Sequence, residues 1–315
     1  MKLNRIKVWI LIAVSVLLIA APPISLGLDE PFYITLIARI MIFAIAALSL
    51  DLILGFGGMI SFGHAAYLGL GAYAVGILSF HGVNNGWLQL IIAIAGCAFI
   101  AMIIGAICLR TSGIYFIMIT LAMTQLLFFL GISLEFYGGD DGLPIDRSVF
   151  FEAFDLGDDV NLYYLILAFL IIITYFSWRL INSRFGMVIR GVQENEVRMR
   201  AIGFPVFRYK LLAFMIAGSM CGVAGFLLAN LTEFVTPEFM HWFRSGEIMV
   251  MVLVGGMGTL FGPLFGAAAF LLFEEIISSW TEHWMFIFGP LLILLVLFAK
   301  QGLWGFLPGG DRRDD

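Results

Sequence analysis

The sequence predicts an all-α, polytopic membrane bundle, and three observations carry that expectation. Of the 315 residues, 62% are hydrophobic and only 12% charged, about half the charged fraction of a soluble domain. The apolar residues fall into runs long enough to cross a bilayer, which takes about 20 residues as a helix. The remaining charge is sorted into two opposed islands. Between positions 179 and 210 lie seven basic residues (Arg179, Arg184, Arg190, Arg198, Arg200, Arg208, Lys210) against two acids, Glu194 and Glu196. Between 135 and 159 eight acids stand with a single base, Arg147. Because Lys and Arg mark the cytoplasmic side of a membrane, the first island is expected inside and the second outside.

The hydropathy pattern divides the chain into about ten spans, near 8–28, 33–54, 59–80, 88–109, 113–134, 162–182, 211–231, 244–258, 262–280 and 284–300. The whole chain, 1–315, reads as one transmembrane domain with an exterior loop at about 135–160 and a cytoplasmic loop at about 183–210. Lys2, Arg5 and Lys7 at one end and Lys300, Arg312 and Arg313 at the other place both termini in the cytoplasm. The basic head, a 13-residue apolar run and Ala20-Ala21-Pro22 also have the form of a signal peptide, whose removal would leave nine spans. Tryptophans flank several span ends, among them Trp9, Trp87, Trp178, Trp242 and Trp280, as interfacial anchors do.

Within the second span, Arg39 and Asp51 lie near opposite ends and are expected to snorkel. The third span reads GFGGMISFGHAAYLGLGAYAVGIL. Its small residues four apart, Ala65/Gly69 and Ala72/Gly76, suit close helix packing. Its Gly-interrupted start, 55–63, could leave backbone groups to line a cavity. His64 is a lone imidazole, better suited to a structural hydrogen bond than to a proton relay. In the fifth span Ile117, Thr120 and Thr124 recur at helical spacing with Gln125 beside them. That stripe either bonds across to a neighbouring helix or faces a water-filled path. Gly255, Gly256, Gly258, Gly262 and Pro263 interrupt the eighth span and shorten or unwind it. Glu274 and Glu275, past the middle of the ninth, require that at least one face the bundle interior or an aqueous cavity.

The basic island predicts a short amphipathic helix over 187–202, with Val188, Val192, Met199 and Ile202 on one side, Gly203 as a left-handed cap and Pro205 as a stop. Such a helix suits docking to a partner; the alternative is a solvated loop that only enforces topology. Other chemistries lack their residues. Cys97, Cys108 and Cys221 sit in apolar runs without CxxC spacing, so no disulfide or zinc site is expected. No GxxxxGK[ST] motif is present. The GGDDG at 138–142 lacks the spaced acids of a calcium loop, and Asp140-Asp141 has no second acidic cluster to share a catalytic metal. A nucleic-acid role has no basic patch outside the 179–210 loop. No cofactor, metal or catalytic residue is expected.

The runs SRFGMVIRGVQENEVRMRAIGFPVFRYKLLAFMIAGSMCGVAG (183–225), GFGGMISFGHAAYLGLGAYA (55–74), LRTSGIYFIMITLAMTQ (109–125) with GGDDGL (138–143), and GGMGTLFGPLFGAAAF (255–270) together resemble the LivM-type permeases of branched-chain amino-acid ABC transporters. The resemblance extends from about 35 to 300 in the same order. It implies a bundle akin to type II ABC importers in the cell (inner) membrane. It also implies a homologous second permease subunit, two cytoplasmic ATP-binding subunits and an exterior (periplasmic) substrate-binding protein. On this reading Arg184, Gly186, Arg190, Glu194, Glu196 and Gly203 belong to the ATPase-docking segment, and Ser61, His64, Gly69, Thr120, Thr124 and Gln125 border the substrate pathway. The solute is a branched-chain amino acid or, within the same family, urea, a short amide or another small organic molecule. An ion-coupled carrier and a polytopic membrane enzyme are the competing classes. Reporter fusions test the orientation: one at residue 150 is expected to report the exterior and one at 195 the cytoplasm, and a cytoplasmic signal at 150 would overturn it.

Overall fold

The computed structural model describes residues 5–27, 32–150, 156–280, 283, 286, 289–290 and 302–306. Among them twelve α-helices form the architecture. They are α1 (Arg5–Gly27), α2 (Phe32–Leu54), α3 (His64–Phe80), α4 (Gly86–Cys108), α5 (Ile114–Ser133), α6 (Asp159–Ile181), α7 (Arg184–Glu194), α8 (Glu196–Ala201), α9 (Val206–Thr232), α10 (Trp242–Gly255), α11 (Gly262–Ser278) and α12 (Gly302–Phe306). Six of these, α1, α2, α4, α5, α6 and α9, are long and apolar enough to cross a membrane, and α3 is a shorter apolar helix of 17 residues. The expected tenth span, 284–300, lies almost wholly outside the described residues. The first nine expected spans each coincide with a helix with shifted ends, among them the start of α3 at His64 rather than 59, the start of α9 at Val206 rather than 211, and the end of α10 at Gly255 rather than 258.

Burial separates the centre from the rim. The most apolar windows of α2 and α9 are 78% and 72% buried within the chain, whereas that of α1 is 17%. Thus α2 and α9 form the inner layer, and α1 is held at the edge, where Tyr163 on α6 donates to the Leu18 carbonyl at 2.7 Å. Against α9 lie α3 and α4. At Gly71 a Cβ would strike the Gly222 backbone, and at Gly225 it would strike the Leu68 carbonyl, so these helices meet backbone to backbone. The cysteines take part in the same packing. Cys97 donates to the Tyr67 carbonyl and Cys221 to the His64 carbonyl, both at 3.4 Å, as small buried thiols do.

One end of the bundle carries the acidic island. There β1 (Leu143–Pro144) pairs antiparallel with β2 (Phe234–Val235), in the register Leu143↔Val235. Arg147 closes this end. It donates to Asp159 Oδ1 at 2.7 Å and to the Leu156 carbonyl at 2.8 Å, and its Nε lies 2.8 Å from Glu233 Oε1 as an ion pair, outside hydrogen-bond alignment. Ser148 ties the loop to two helices by accepting nothing from them: its N–H donates to Asn230 Oδ1 at 2.8 Å, and its hydroxyl to Gln89 Oε1. At the opposite, basic end lie α7, α8 and the turns 55–63 and 256–261.

Three expectations are corrected. The helix foreseen over 187–202 is two helices, because Asn195 leaves helical geometry (φ −157°, ψ 96°) and its side chain caps α8 by accepting from Arg198 N at 2.9 Å. Ile202 does not share the face of Val188 and Val192; those two are buried against Val206, while Ile202 is exposed. Asp51 does not snorkel. It is fully buried, with Oδ1 accepting from Gly258 N at 2.8 Å.

The backbone contact between α3 and α9 makes a direct prediction. Gly71→Val should destabilise the purified protein by about 1–3 kcal/mol through overpacking. Gly96→Ala, where an added Cβ meets nothing within 4 Å on an exposed face of α4, should leave stability unchanged or raise it by up to about 1 kcal/mol. Thermal unfolding monitored by size-exclusion chromatography measures both, and equal shifts would contradict the contact.

Candidate functional site

The basic segment folds as a small platform fixed to the bundle. Ser183 caps α7 by accepting from Gly186 N at 3.4 Å. Gly186 is buried where a Cβ would strike the carbonyls of Leu180 and Ile181, so α7 turns sharply away from the end of α6. Arg190 Nη2 donates to the Ile181 carbonyl at 2.5 Å and closes that corner. Beneath the platform Val188, Val192 and Val206 form a small apolar core, with Met199 and Tyr209 packed on it and Phe185 stacked on Tyr209 at 5.7 Å. Glu196 pairs with both Arg200 and Lys210 and so joins α8 to α9. Partial burial of Glu196 acts to raise its pKa, but the hydrogen bond and charge of Lys210 and the charge of Arg200 outweigh it, leaving the carboxyl below its ordinary 4.5. Gly203 takes φ 94°, the left-handed cap expected of it. The outer surface carries Arg184, Glu194 and Arg198 among exposed Met187, Val197, Ile202 and Phe207. Charged and large apolar side chains are thus both exposed on this platform.

A chain of bonds runs from the platform into the bundle. Gln193 on α7 donates through Nε2 to the Gly55 carbonyl at 2.9 Å. Gly55 packs on the backbone of Gly258 and on the Asp51 carboxylate, which holds Gly258 N. Gln193 of α7, the end of α2 and the turn between α10 and α11 are thus in one contiguous set of contacts. Sequence reasoning did not single out Gln193. It lies one residue from Val192 on an otherwise polar segment, and nothing in its spacing distinguishes it from a solvated glutamine.

Of the six residues expected along a pathway, Ser61, His64, Thr120 and Thr124 converge on the start of α3. Thr120 Oγ1 accepts from Phe62 N and Thr124 Oγ1 donates to the Phe62 carbonyl, both at 3.2 Å. Ser61 Oγ accepts from Gly63 N at 3.1 Å, and Ser245 on α10 accepts from Ala65 N at 2.9 Å. The non-helical segment 59–63 is thereby held by hydroxyls from α5, and the first turn of α3 by one from α10, which satisfies backbone groups left without a helical partner. His64 is fully buried, its Nε2 3.0 Å from Ser49 Oγ. Gly69 is filled by Met240, and Gln125 is partly exposed on α5. Ser61, His64, Gly69, Thr120 and Thr124 are all buried, and Ile60 is exposed on the 59–63 segment.

Two ion pairs lie among the helices toward the acidic end. Arg39 on α2 reaches Glu274 on α11 at 3.3 Å, and Arg244 reaches Glu247 within α10 at 2.7 Å. Glu274 is the member of the Glu274/Glu275 pair that finds a partner inside the bundle. Arg244 and Glu247 were not expected; the signal available was a charged i,i+3 pair inside an apolar window.

Several permease proteins are similar to most of this chain. The LivM permease protein of the high-affinity branched-chain amino acid transport system of Salmonella typhimurium is 27% identical over 84% of this chain and 68% of its own length. The corresponding LivM protein of Escherichia coli K12 is 27% identical over 93% of this chain and 74% of its own. The LivH permease protein of the E. coli system is 24% identical, covering 84% and 91%. No solved structure matches the chain. The model of the family described as branched-chain amino acid transport system / permease component matches residues 32–297, and on that extent the chain belongs to this permease family.

Proposed function

We propose that this chain is the permease subunit of an ATP-driven importer for branched-chain amino acids and forms half of an alternating-access pathway. It crosses the membrane ten times as one domain of the type II importer kind, with both termini and the α7–α8 platform in the cytoplasm. Two ATP-binding subunits dock on the platform, a homologous permease supplies the other half of the pathway, and an exterior binding protein delivers solute to the acidic end. The similarity of the chain to both LivM and LivH, two permease proteins of one system, supports a paired homologous subunit. The observation that carries the reading is the Gln193–Gly55 bond. The platform is hydrogen-bonded to the backbone of the turn after α2, and Gly55 there packs on Gly258 of the turn after α10. Movement imposed from outside the chain is thereby delivered to the helices around segment 59–63, whose supporting residues border the solute path.

Coupling can be separated from docking. Gln193→Ala removes one hydrogen bond worth about 0.5–1.5 kcal/mol, so the assembled transporter should retain its ATPase subunits while ATP-driven leucine uptake falls several-fold. Unchanged uptake would contradict the coupling route. Gly203→Val meets no steric obstacle, since a Cβ there has nothing within 4 Å, but it forces a β-branched residue to positive φ at a cost of about 1–3 kcal/mol. ATPase co-purification should weaken in this variant while membrane insertion is unaffected; full retention of the ATPase would argue against docking at this turn.

The pH dependence follows from Glu196. Its folded pKa lies below 4.5, so its contribution to holding α8 on α9 is complete above 4.5 and is lost as pH falls through the lower folded value. Partial exposure of all three partners screens the effect. Protease protection of the 196–210 junction should be flat from about pH 8 to pH 5 and decline below about pH 4.5. Glu196→Gln should give weaker protection at neutral pH with no such decline, and identical profiles for the two proteins would contradict the pairing.

A further inference from the structure

Toward the acidic end, a cavity of about 390 Å³ opens between α2, α3, α9 and the start of α10. That is within the range of pockets that hold small organic ligands, roughly 300–1,000 Å³. Its composition is divided. Phe43, Leu228 and Phe239 give apolar wall, and the guanidinium groups of Arg39 and Arg244 give the charged part. Charged side chains among apolar helices are costly and mark functional positions more often than structural ones.

Neither arginine is exhausted by its carboxylate partner. Arg39 contacts Glu274 through Nη2 and Arg244 contacts Glu247 through Nη1, while a guanidinium has five N–H donors. The side chains of Arg39 and Arg244 are 34% and 31% exposed, against 17% and 9% for the two glutamates. The positive groups therefore face the open space and the acids lie behind them. Arg39 also rests over the Phe43 ring, 5.9 Å from its centroid, which fixes a cation beside an aromatic wall. Phe239 and Arg244 flank the first turn of α10, a 14-residue helix that starts beside Met240, the side chain filling Gly69. A helix N-terminus within the bundle adds partial positive charge on the same side.

We propose that this cavity receives the carboxylate of an aliphatic amino acid between Arg39 and Arg244, with its hydrocarbon side chain against Phe43, Leu228 and Phe239. The assignment rests on the reading that the chain carries such solutes, and it adds the place and the chemistry of recognition within the permease. Paired arginines match a carboxylate because each can offer parallel N–H donors to its two oxygens. Each glutamate behind them takes one N–H of its guanidinium and leaves the remaining donors for the carboxylate of the zwitterionic solute.

The test uses the assembled transporter, with its ATP-binding and second permease subunits, in lipid nanodiscs without the exterior binding protein. Thr35 lines the same cavity and is exposed, and Cys97, Cys108 and Cys221 are buried. Modification of Thr35→Cys by a small polar thiol reagent thus reports the cavity, with the unsubstituted protein as the control. Leucine at about ten times its Kd should slow the reaction about tenfold, since about a tenth of the sites remain free. 4-Methylpentanoate, which keeps the carboxylate, should also protect; leucinamide, which lacks it, and inorganic phosphate should not. Arg39→Gln and Arg244→Gln should weaken protection by leucine about 10- to 100-fold in concentration, with Arg244→Lys recovering part of it. Protection by leucinamide equal to that by leucine, protection by phosphate alone, or no protection by leucine in the Thr35→Cys protein with both arginines intact would overturn the site. ATP-driven leucine uptake by the unsubstituted transporter separates the two claims. Its absence sinks the proposed function, whereas uptake that is present and unchanged in Arg39→Gln and Arg244→Gln sinks the cavity alone.

Discussion

The packing of α3 on α9 without intervening side chains is the contact from which the other positions follow. Gly71 against Gly222 and Gly225 against Leu68 bring two backbones together where lipid offers no hydrophobic drive for helices to associate. Dispersion between closely fitted surfaces is then the main attraction. With α3 seated there, its beginning is fixed at a depth that leaves 59–63 unpaired as a helix, and its later turns meet Met240 and Val235. The dip of the chain between β2 and α10 is thus shaped to α3. The depth at which α10 begins is a consequence.

Backbone that departs from helix inside such a bundle must find partners in side chains. Each irregular stretch here has a set. The 59–63 segment and the first turn of α3 take Thr120, Thr124 and Ser245; the turn after α10 takes Asp51; the turn after α2 takes Gln193. These polar residues are few and almost all buried, and each serves a specific N–H or carbonyl. The same economy leaves the Arg39 and Arg244 pairs conspicuous, because no irregular backbone requires them.

The helical architecture was legible because apolar length and opposed charge are local properties of a sequence. The positions of α2, α4, α5, α6 and α9 follow from runs of about 20 apolar residues, and the left-handed Gly203 from a cap glycine ahead of Pro205. The missing parts were relational. That Thr120 and Thr124 serve Phe62, or that Asp51 serves Gly258, depends on which helices become neighbours, and periodicity within one helix does not carry that. The break at Asn195 went unseen because a capping residue inside a polar run has the same composition as a solvated helix face. Of the residues placed at the platform, Gly186, Arg190, Glu196 and Gly203 hold it in shape, while Arg184 and Glu194 are on its exposed surface.

The bond between Gln193 and Gly55 has a genetic asymmetry. Its donor is a side chain and its acceptor is a main-chain carbonyl, so substitution can delete the donor but can alter the acceptor only by reshaping the turn. Second-site changes that restore a lost Gln193 cannot arise by exchanging partners across the contact, as they can for an ion pair. They must bring another donor to the same carbonyl, and the positions close enough include Gly258 on the turn after α10, where a Cβ would stand 3.2 Å from the Gly55 oxygen, as well as α7. Suppressors of a coupling defect here should therefore fall on the two elements that flank the Gly55 carbonyl, α7 and the turn after α10.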